Sequence, residues 1–337
     1  MINQAINNQT ARAGADFKAA LTRVPSRMKY EKVVIVTRET ELESLTAKFN
    51  TVDQARFYLE HAGQSFSPIE QAHARYKKTL NQLHAIIPRG IKSQVISRKL
   101  VPQFTFAEHD LIITIGQDGL VVNTAKYLTH QPIVAINPDP KTIEGVLLPF
   151  DEQNGMPDLK AILSGQSTVK KITMANAAMN DGQELLAFND LFVGPRTHTS
   201  ARYDITQGEQ SEFQSSSGII ISTGAGSTGW MRSVYAGAVG IINSLGGEVS
   251  MPENCGRMDW DENILMYAVR EPWPSKSSQA NMVYGVITPD QPLILTSHMS
   301  DYGVIFSDGV ENDYLAFNAG FSATISIAST KAHLVTP

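Results

Sequence analysis

The run Asp110-Leu-Ile-Ile-Thr-Ile-Gly-Gln-Asp-Gly-Leu120 restricts this chain to few architectures. Leu111 to Ile115 is a short apolar, β-branched stretch suited to a buried strand. It passes directly into Gly116-Gln117-Asp118-Gly119, whose two glycines admit close backbone approach and positive φ. The segment from Val121 to Leu128 then reads as a helix. Strand, tight turn and helix N-terminus together form a natural phosphate site. Asp118 alters that reading, because a carboxylate at that place repels phosphate unless it binds a metal ion or takes a proton from an attacking hydroxyl. The turn therefore points towards phosphoryl transfer. G-x-D-G also occurs in plain strand-to-helix connections, so the reading needs support from elsewhere in the chain.

Strands are expected at residues 32–37, 93–97, 111–115 and 132–136, with helices near 52–61 and 68–87. In the longer helix Ile69, Ala72, Tyr76, Leu80, Leu83 and Ile86 recur mostly at helical spacing, which predicts one packed face. Strands alternating with helices imply parallel β-α-β winding, and in such sheets ligands collect at the carboxyl ends of strands, where Asp118 falls. Asn137-Pro138-Asp139-Pro140 and the stretch 149–157 break the pattern and mark a domain boundary. Beyond it the chain turns β-rich, with short strands expected at 167–174, 184–193, 201–205, 218–222, 282–287, 293–297, 304–306 and 322–328. No fixed-period repeat is visible.

At 337 residues the chain suits two domains, and 42% apolar with 18% charged residues is the composition of a globular protein. A formal charge of −5 gives no electrostatic case for nucleic acid. The single cysteine, Cys255, rules out an intrachain disulfide and fits a reducing compartment. No stretch has the length and apolarity of a membrane span. Residues 1–28 carry Arg12, Lys18, Arg23 and Arg27 with few acids and lack the apolar core of a secretory signal. They read as a flexible arm, with an organellar transit peptide as the second choice, and the protein is placed in the cytoplasm. His198 and His298 are isolated, and no His/Cys/Asp spacing matches a zinc site, so no metal-ligating residues are assigned. Arg196 and Arg202 are minor candidates for phosphate contact.

Three further segments bear on chemistry. In Gly218-Ile-Ile-Ile-Ser-Thr-Gly-Ala-Gly-Ser-Thr-Gly-Trp230 an apolar strand ends in a small, hydroxyl-rich loop, followed by a helix expected over 230–242. In Ala187-Phe-Asn-Asp-Leu-Phe-Val193 an amide and a carboxylate interrupt a strand, a pair able to hold a ribose diol or purine edge. Its alternative is a loop or β-bulge. Phe306-Ser307-Asp308-Gly309 is most simply a turn between strands.

In their order these four elements resemble the NAD kinase family, in which a G-G-D-G turn precedes an Asn-acid pair, a T-G-S-T loop and a late D-G turn. The match covers roughly residues 30 to 330. Arg270-Glu271-Pro272 and Ser215-Ser216-Ser217-Gly218 bring it closer to the mitochondrial-type branch. The resemblance implies an NAD kinase-like two-domain architecture: an α/β N-terminal domain with a parallel sheet at 29–150, a β-rich nucleotide-binding domain at 151–320, and a segment at 321–337 returning to the first. It also implies a site in the cleft between them and assembly into homodimers or homotetramers. By residue, Asp118 matches the catalytic aspartate, and Gly116 and Gly119 match the phosphate turn. Asn189 and Asp190 match the pair that holds the adenosine of NAD(H). Thr223, Gly226, Ser227, Thr228 and Ser233 match the nucleotide-binding loop and the start of its helix, and Asp308 matches the late turn.

The implied activity transfers a phosphate from ATP or polyphosphate, with Mg²⁺ arriving on the donor, to the 2′-hydroxyl of NAD(H). Asp118 is then the general base. Departures from the pattern are Gln117 for the second glycine, Leu120 for a threonine, Gly224-Ala225 for Pro-Thr, Trp230 for a tyrosine and Ser217 for an aspartate. Gln117 matters most, because its side chain is expected to crowd the donor phosphates. Two alternatives stay open: an inactive or regulatory dinucleotide-binding protein on the same scaffold, and a kinase for a sugar or nucleoside hydroxyl. Lipid and sphingosine kinases share a similar glycine turn but lack the other segments.

Overall fold

A computed structural model describes residues 29–251 and 253–337; the expected arm at 1–28 lies outside the described residues. The first part of the chain runs β1 (Lys32–Thr37), α1 (Glu41–Phe49), α2 (Val52–His61), α3 (Ser67–Ile86), β2 (Lys92–Ser97), β3 (Asp110–Ile115), α4 (Asp118–Ala125) and β4 (Pro132–Ile136). Next come α5 (Leu159–Leu163), β5 (Thr168–Met179), β6 (Glu184–Ala187), β7 (Asp190–Pro195), β8 (Ala201–Gln207), β9 (Gln210–Ser216) and β10 (Ile219–Ser222). The remainder is α6 (Trp230–Ser244), β11 (Leu265–Val269), β12 (Tyr284–Ile287), β13 (Leu293–Ser297), β14 (Gly303–Ser307), β15 (Tyr314–Ala316) and β16 (Ser322–Thr336).

β1 to β4 form the parallel half of a mixed sheet in the order β2-β1-β3-β4, continued by β16-β13-β8-β9. All six residues of β3 are buried, as a strand covered on both faces requires. The two-residue period assigns the faces. Val34, Val36, Ile112 and Ile133 pack with Leu120, Val121 and Ala125 of α4, whereas Val33, Ile35, Leu111 and Ile113 pack with Tyr76 and Leu83 of α3. The antiparallel half packs against a separate six-stranded sheet, β12-β11-β10-β7-β14-β15. Tyr203, Ile205, Leu293 and Ile325 from one face meet Leu191, Val193, Ile219 and Ile305 from the other. The architecture is thus an α/β unit with a parallel sheet joined to a β-rich unit. β16 serves both: Leu293↔Ile325 pairs it with β13, and His333↔Pro132 pairs it with β4. A register irregularity between Ile327 and Lys331 lets the strand bend between the two.

Five elements were not anticipated from the sequence: α1, α5, β9, β11 and β15. α1 begins at a capping box, with Thr40 Oγ1 accepting from the Glu43 amide and the Glu43 carboxylate accepting from the Thr40 amide. It buries no residue, so it gives no strong apolar period. β9 turns Glu212, Gln214 and Ser216 inward, where Tyr203 and the 281–282 backbone satisfy them. A strand with a polar buried face escapes any hydrophobic pattern. β11 is a short apolar run compatible with either regular structure, and β15 has only three residues. Among the described residues no helix is long and apolar enough to cross a membrane.

Candidate functional site

Gly116 follows β3 directly, and its amide donates to the Ile136 carbonyl at 3.2 Å. A Cβ there would lie 3.0 Å from Leu120 Cδ2 and 3.2 Å from Arg38 Cδ, so glycine serves close packing. Neither Gly116 nor Gly119 has a positive φ, which corrects the expectation for this turn; its second role, open access, belongs to Gly119, where an added Cβ would meet nothing within 4 Å. Gln117 is the N-cap of α4 with an extended backbone, φ −94 and ψ 167, and its side chain makes no capping bond. Its Oε1 instead accepts from Arg38 Nη1. Asp118 opens the helix, and its carboxylate accepts from the amides of Leu147 at 2.9 Å and Val146 at 3.2 Å. Those amides sit after Gly145, at φ 66, where a Cβ would strike Asn137 Nδ2 at 2.7 Å. The catalytic candidate is therefore aimed by a fixed stretch of backbone.

The second group forms around Asp308, in the left-handed region at φ 55. Its carboxylate accepts from three successive amides, Phe188 at 3.0 Å, Asn189 at 2.7 Å and Asp190 at 3.3 Å. The late turn thus clamps the Asn-acid turn. Thr223 closes the other side, its amide donating to the Asn189 carbonyl at 2.9 Å and its hydroxyl to the Phe188 carbonyl at 2.6 Å. Ser227 Oγ donates to the Gly224 carbonyl and accepts from the Met258 amide. Thr223 and Ser227 are fully buried, so their hydroxyls shape the loop; Thr228 and Ser233 are exposed. The structure therefore joins Asn189, Asp190, Thr223, Gly226, Ser227 and Asp308 into one body. Burial pushes the Asp190 carboxyl up to about 7, with Asp308 adding to the rise and Ser222 opposing it. Burial likewise raises Asp308, against the pull of the three amides and of Lys126.

Lys126, at the end of α4, links the two groups. Its buried ammonium donates to Ser307 Oγ at 2.7 Å and lies 3.8 Å from Asp313. Burial lowers its pKa, while Asp308 and Asp313 hold its charge. Among the described residues no hydrogen bond joins Asp118 directly to the Asn189–Asp190 turn; the connection runs along α4. Removing one member of a buried charge cluster leaves the other uncompensated. Lys126→Met is expected to destabilise the protein by about 3 kcal/mol, read by denaturant unfolding. A loss under ~0.5 kcal/mol would make the ammonium dispensable.

A cavity of about 700 Å³ adjoins this body, with Phe192, Trp230, Phe306, Arg196, Arg270 and Ser217 in its wall. Phe192 stacks on Trp230 at 5.8 Å and meets Phe306 at 4.9 Å. Arg270 lies over the Trp230 ring at 5.6 Å. Such a wall suits a planar ring carrying an anionic group. Phe192 and Phe306 escaped the sequence reading, because their pairing depends on the β7–β14 register. Among the described residues no group of three or more His, Cys, Asp or Glu forms a metal-ligand set.

No family model matches the chain. It is 22% identical over 313 residues to "NAD kinase 2, mitochondrial" of Homo sapiens, covering 74% of this chain and 71% of that protein. It is 22% identical over 258 residues to a "Probable NADH kinase" of Oryza sativa subsp. japonica, covering 69% and 73%. Among solved structures, an NAD kinase from Archaeoglobus fulgidus in complex with ATP superimposes with a TM-score of 0.52 at 16% identity, over 90% of this chain and 92% of that one. In sequence and in fold the chain is NAD kinase-like. Yeast NADH kinase complexed with NADH shares the fold as well, with a TM-score of 0.52 at 12% identity over 93% and 88% of the two chains. Within this NAD kinase-like frame Gln117 contacts Arg38 at the Gly116–Gly119 turn.

Proposed function

We propose that this chain is an NAD kinase-type phosphotransferase, moving the terminal phosphate of a Mg-bound nucleotide or polyphosphate to the 2′-hydroxyl of the adenosine ribose of NAD(H). The observation that carries the reading is the coupling of the Asp118 turn, through α4 and Lys126, to the Asn189–Asp190 turn clamped by Asp308. In this scheme Asn189 and Asp190 hold the adenosine, and the loop from Thr223 to Thr228 sets their height. The aromatic cavity beside them takes the far ring of the dinucleotide. Asp118, oriented by two backbone amides, accepts the proton as the ribose oxygen bonds to phosphorus and the bond to the leaving phosphate oxygen breaks. Mg²⁺ enters with the donor.

The same reading carries a cytoplasmic homodimer or homotetramer. α6 supports association: it buries only Met231 and leaves Ile241 and Ile242 exposed. Light scattering tests this. The activity is tested by incubating the purified protein with NAD or NADH and Mg-ATP or polyphosphate and measuring NADP(H) with an NADP-specific dehydrogenase. Product formed only from sugars or nucleosides would move the acceptor. Dinucleotide binding without turnover would favour a regulatory protein.

Asp190 gives the site a pH dependence. With a carboxyl near 7, its acceptor form grows as the pH rises from about 6 to about 8, and NAD affinity is expected to rise about tenfold. Calorimetry across that range, with Asp190→Asn as the flat control, checks it. Stability moves the opposite way. Between 3.8 and about 7 the native protein keeps a proton that the unfolded chain has released, so stability falls as the pH rises through that window.

A further inference from the structure

We infer that Gln117 does not obstruct the donor but positions Arg38 as a phosphate-binding cation of this turn. The inference rests on the kinase reading of the site and names the residues that recognise the donor. A cavity of about 220 Å³ opens beside the turn, with Arg38, Gly116, Gln117, His73, Thr142 and Asp139 in its wall. Arg38 leaves the end of β1 with its backbone amide tied to Tyr76 Oη at 3.2 Å, and its side chain lies across Gly116. Its guanidinium bonds the neutral amide oxygen of Gln117 and, among the described residues, forms an ion pair with no carboxylate. Of its five N–H donors most remain for a ligand. A fixed cation with a neutral partner on a phosphate turn is suited to an anion, because no internal carboxylate has to be displaced.

The buried carboxylate of this wall, Asp139, is committed to partners other than Arg38. It is 3% exposed, and its Oδ2 accepts from Arg75 at 2.7 Å and Thr142 at 2.7 Å, while Oδ1 is buried with no hydrogen-bond partner. The cavity therefore presents a guanidinium free for an anion, and the phosphates of a donor match it. Glu41, exposed at the rim, His73, bonded to Thr40 Oγ1 at 2.8 Å, and Tyr76, whose hydroxyl donates to the Ile115 carbonyl at 3.3 Å, are the other charged or titratable groups of the wall.

Binding of tripolyphosphate to the full chain tests this by calorimetry beside steady-state kinetics with donor and NAD varied separately. Arg38→Met is expected to weaken tripolyphosphate binding and raise the donor KM by about tenfold or more, with NAD affinity within about twofold. Gln117→Leu keeps the bulk but removes the acceptor. It should weaken binding about threefold alone and add nothing in the Arg38→Met background, since it acts through Arg38. Wild-type protein that ignores tripolyphosphate, an Arg38→Met protein that binds it as wild type does, or equal Gln117→Leu effects in both backgrounds would each overturn the inference. Arg38-dependent binding without any NADP formation would refute the proposed activity and leave this inference standing. NADP formation with a donor KM untouched by Arg38→Met would do the reverse.

Discussion

Asp118→Asn is expected to lower kcat by about 10²–10⁴ while leaving the protein folded, because the near-isosteric amide cannot accept the ribose proton. Its Oδ1 can retain one of the two bonds from Val146 and Leu147, but its NH₂ then faces the other amide. A modest stability loss of about 1 kcal/mol accompanies the change. Single-turnover kinetics with saturating NAD and Mg-ATP, on protein whose circular dichroism matches wild type, read the chemical step directly. Near-wild-type turnover would reduce Asp118 to an anchor for the 145–148 backbone and remove the general base from the scheme.

Gly226→Val should have the next largest effect, through geometry rather than proton transfer. A Cβ at Gly226 would lie 2.3 Å from the Asn189 carbonyl oxygen and 2.7 Å from Asp190 Oδ1. The nearest atom is backbone, held by the Thr223 amide, so it cannot swing aside. Either the loop or the Asn189–Asp190 turn must shift, and NAD affinity is expected to fall by about a hundredfold, equivalent to ~3 kcal/mol. Calorimetry on the folded variant decides: unchanged NAD affinity would place the dinucleotide elsewhere. Gly119→Ala meets open space and serves as a comparison for a substitution without a clash.

Buried parallel strands were legible because their apolar runs are uninterrupted: β1, β3 and β4 fall at the expected residues. α1 and β9 were not, since one buries nothing and the other buries polar groups. The same division holds at the site. Asp118 and the small-residue loop stand out as local patterns. The clamp of Asp308 on the 188–190 amides joins residues up to 120 positions apart, and only folding reveals that its carboxylate faces backbone. Arg38 and Gln117 lie 79 positions apart, and without its partner in view the glutamine reads as an obstruction. Lys126 lies inside an apolar helical segment, with nothing local to show that Ser307 would meet it.

The double duty of β16 has a consequence for how the protein is made. One edge of β4 bonds β3, and the other bonds residues His333 and Leu334, separated from it by about 200 residues of chain. During synthesis the apolar strand Pro132–Ile136 therefore leaves the ribosome long before its second neighbour exists. Until then it offers an unpaired parallel edge to any other chain, so nascent or truncated protein lacking the last turns of translation is the form most exposed to aggregation.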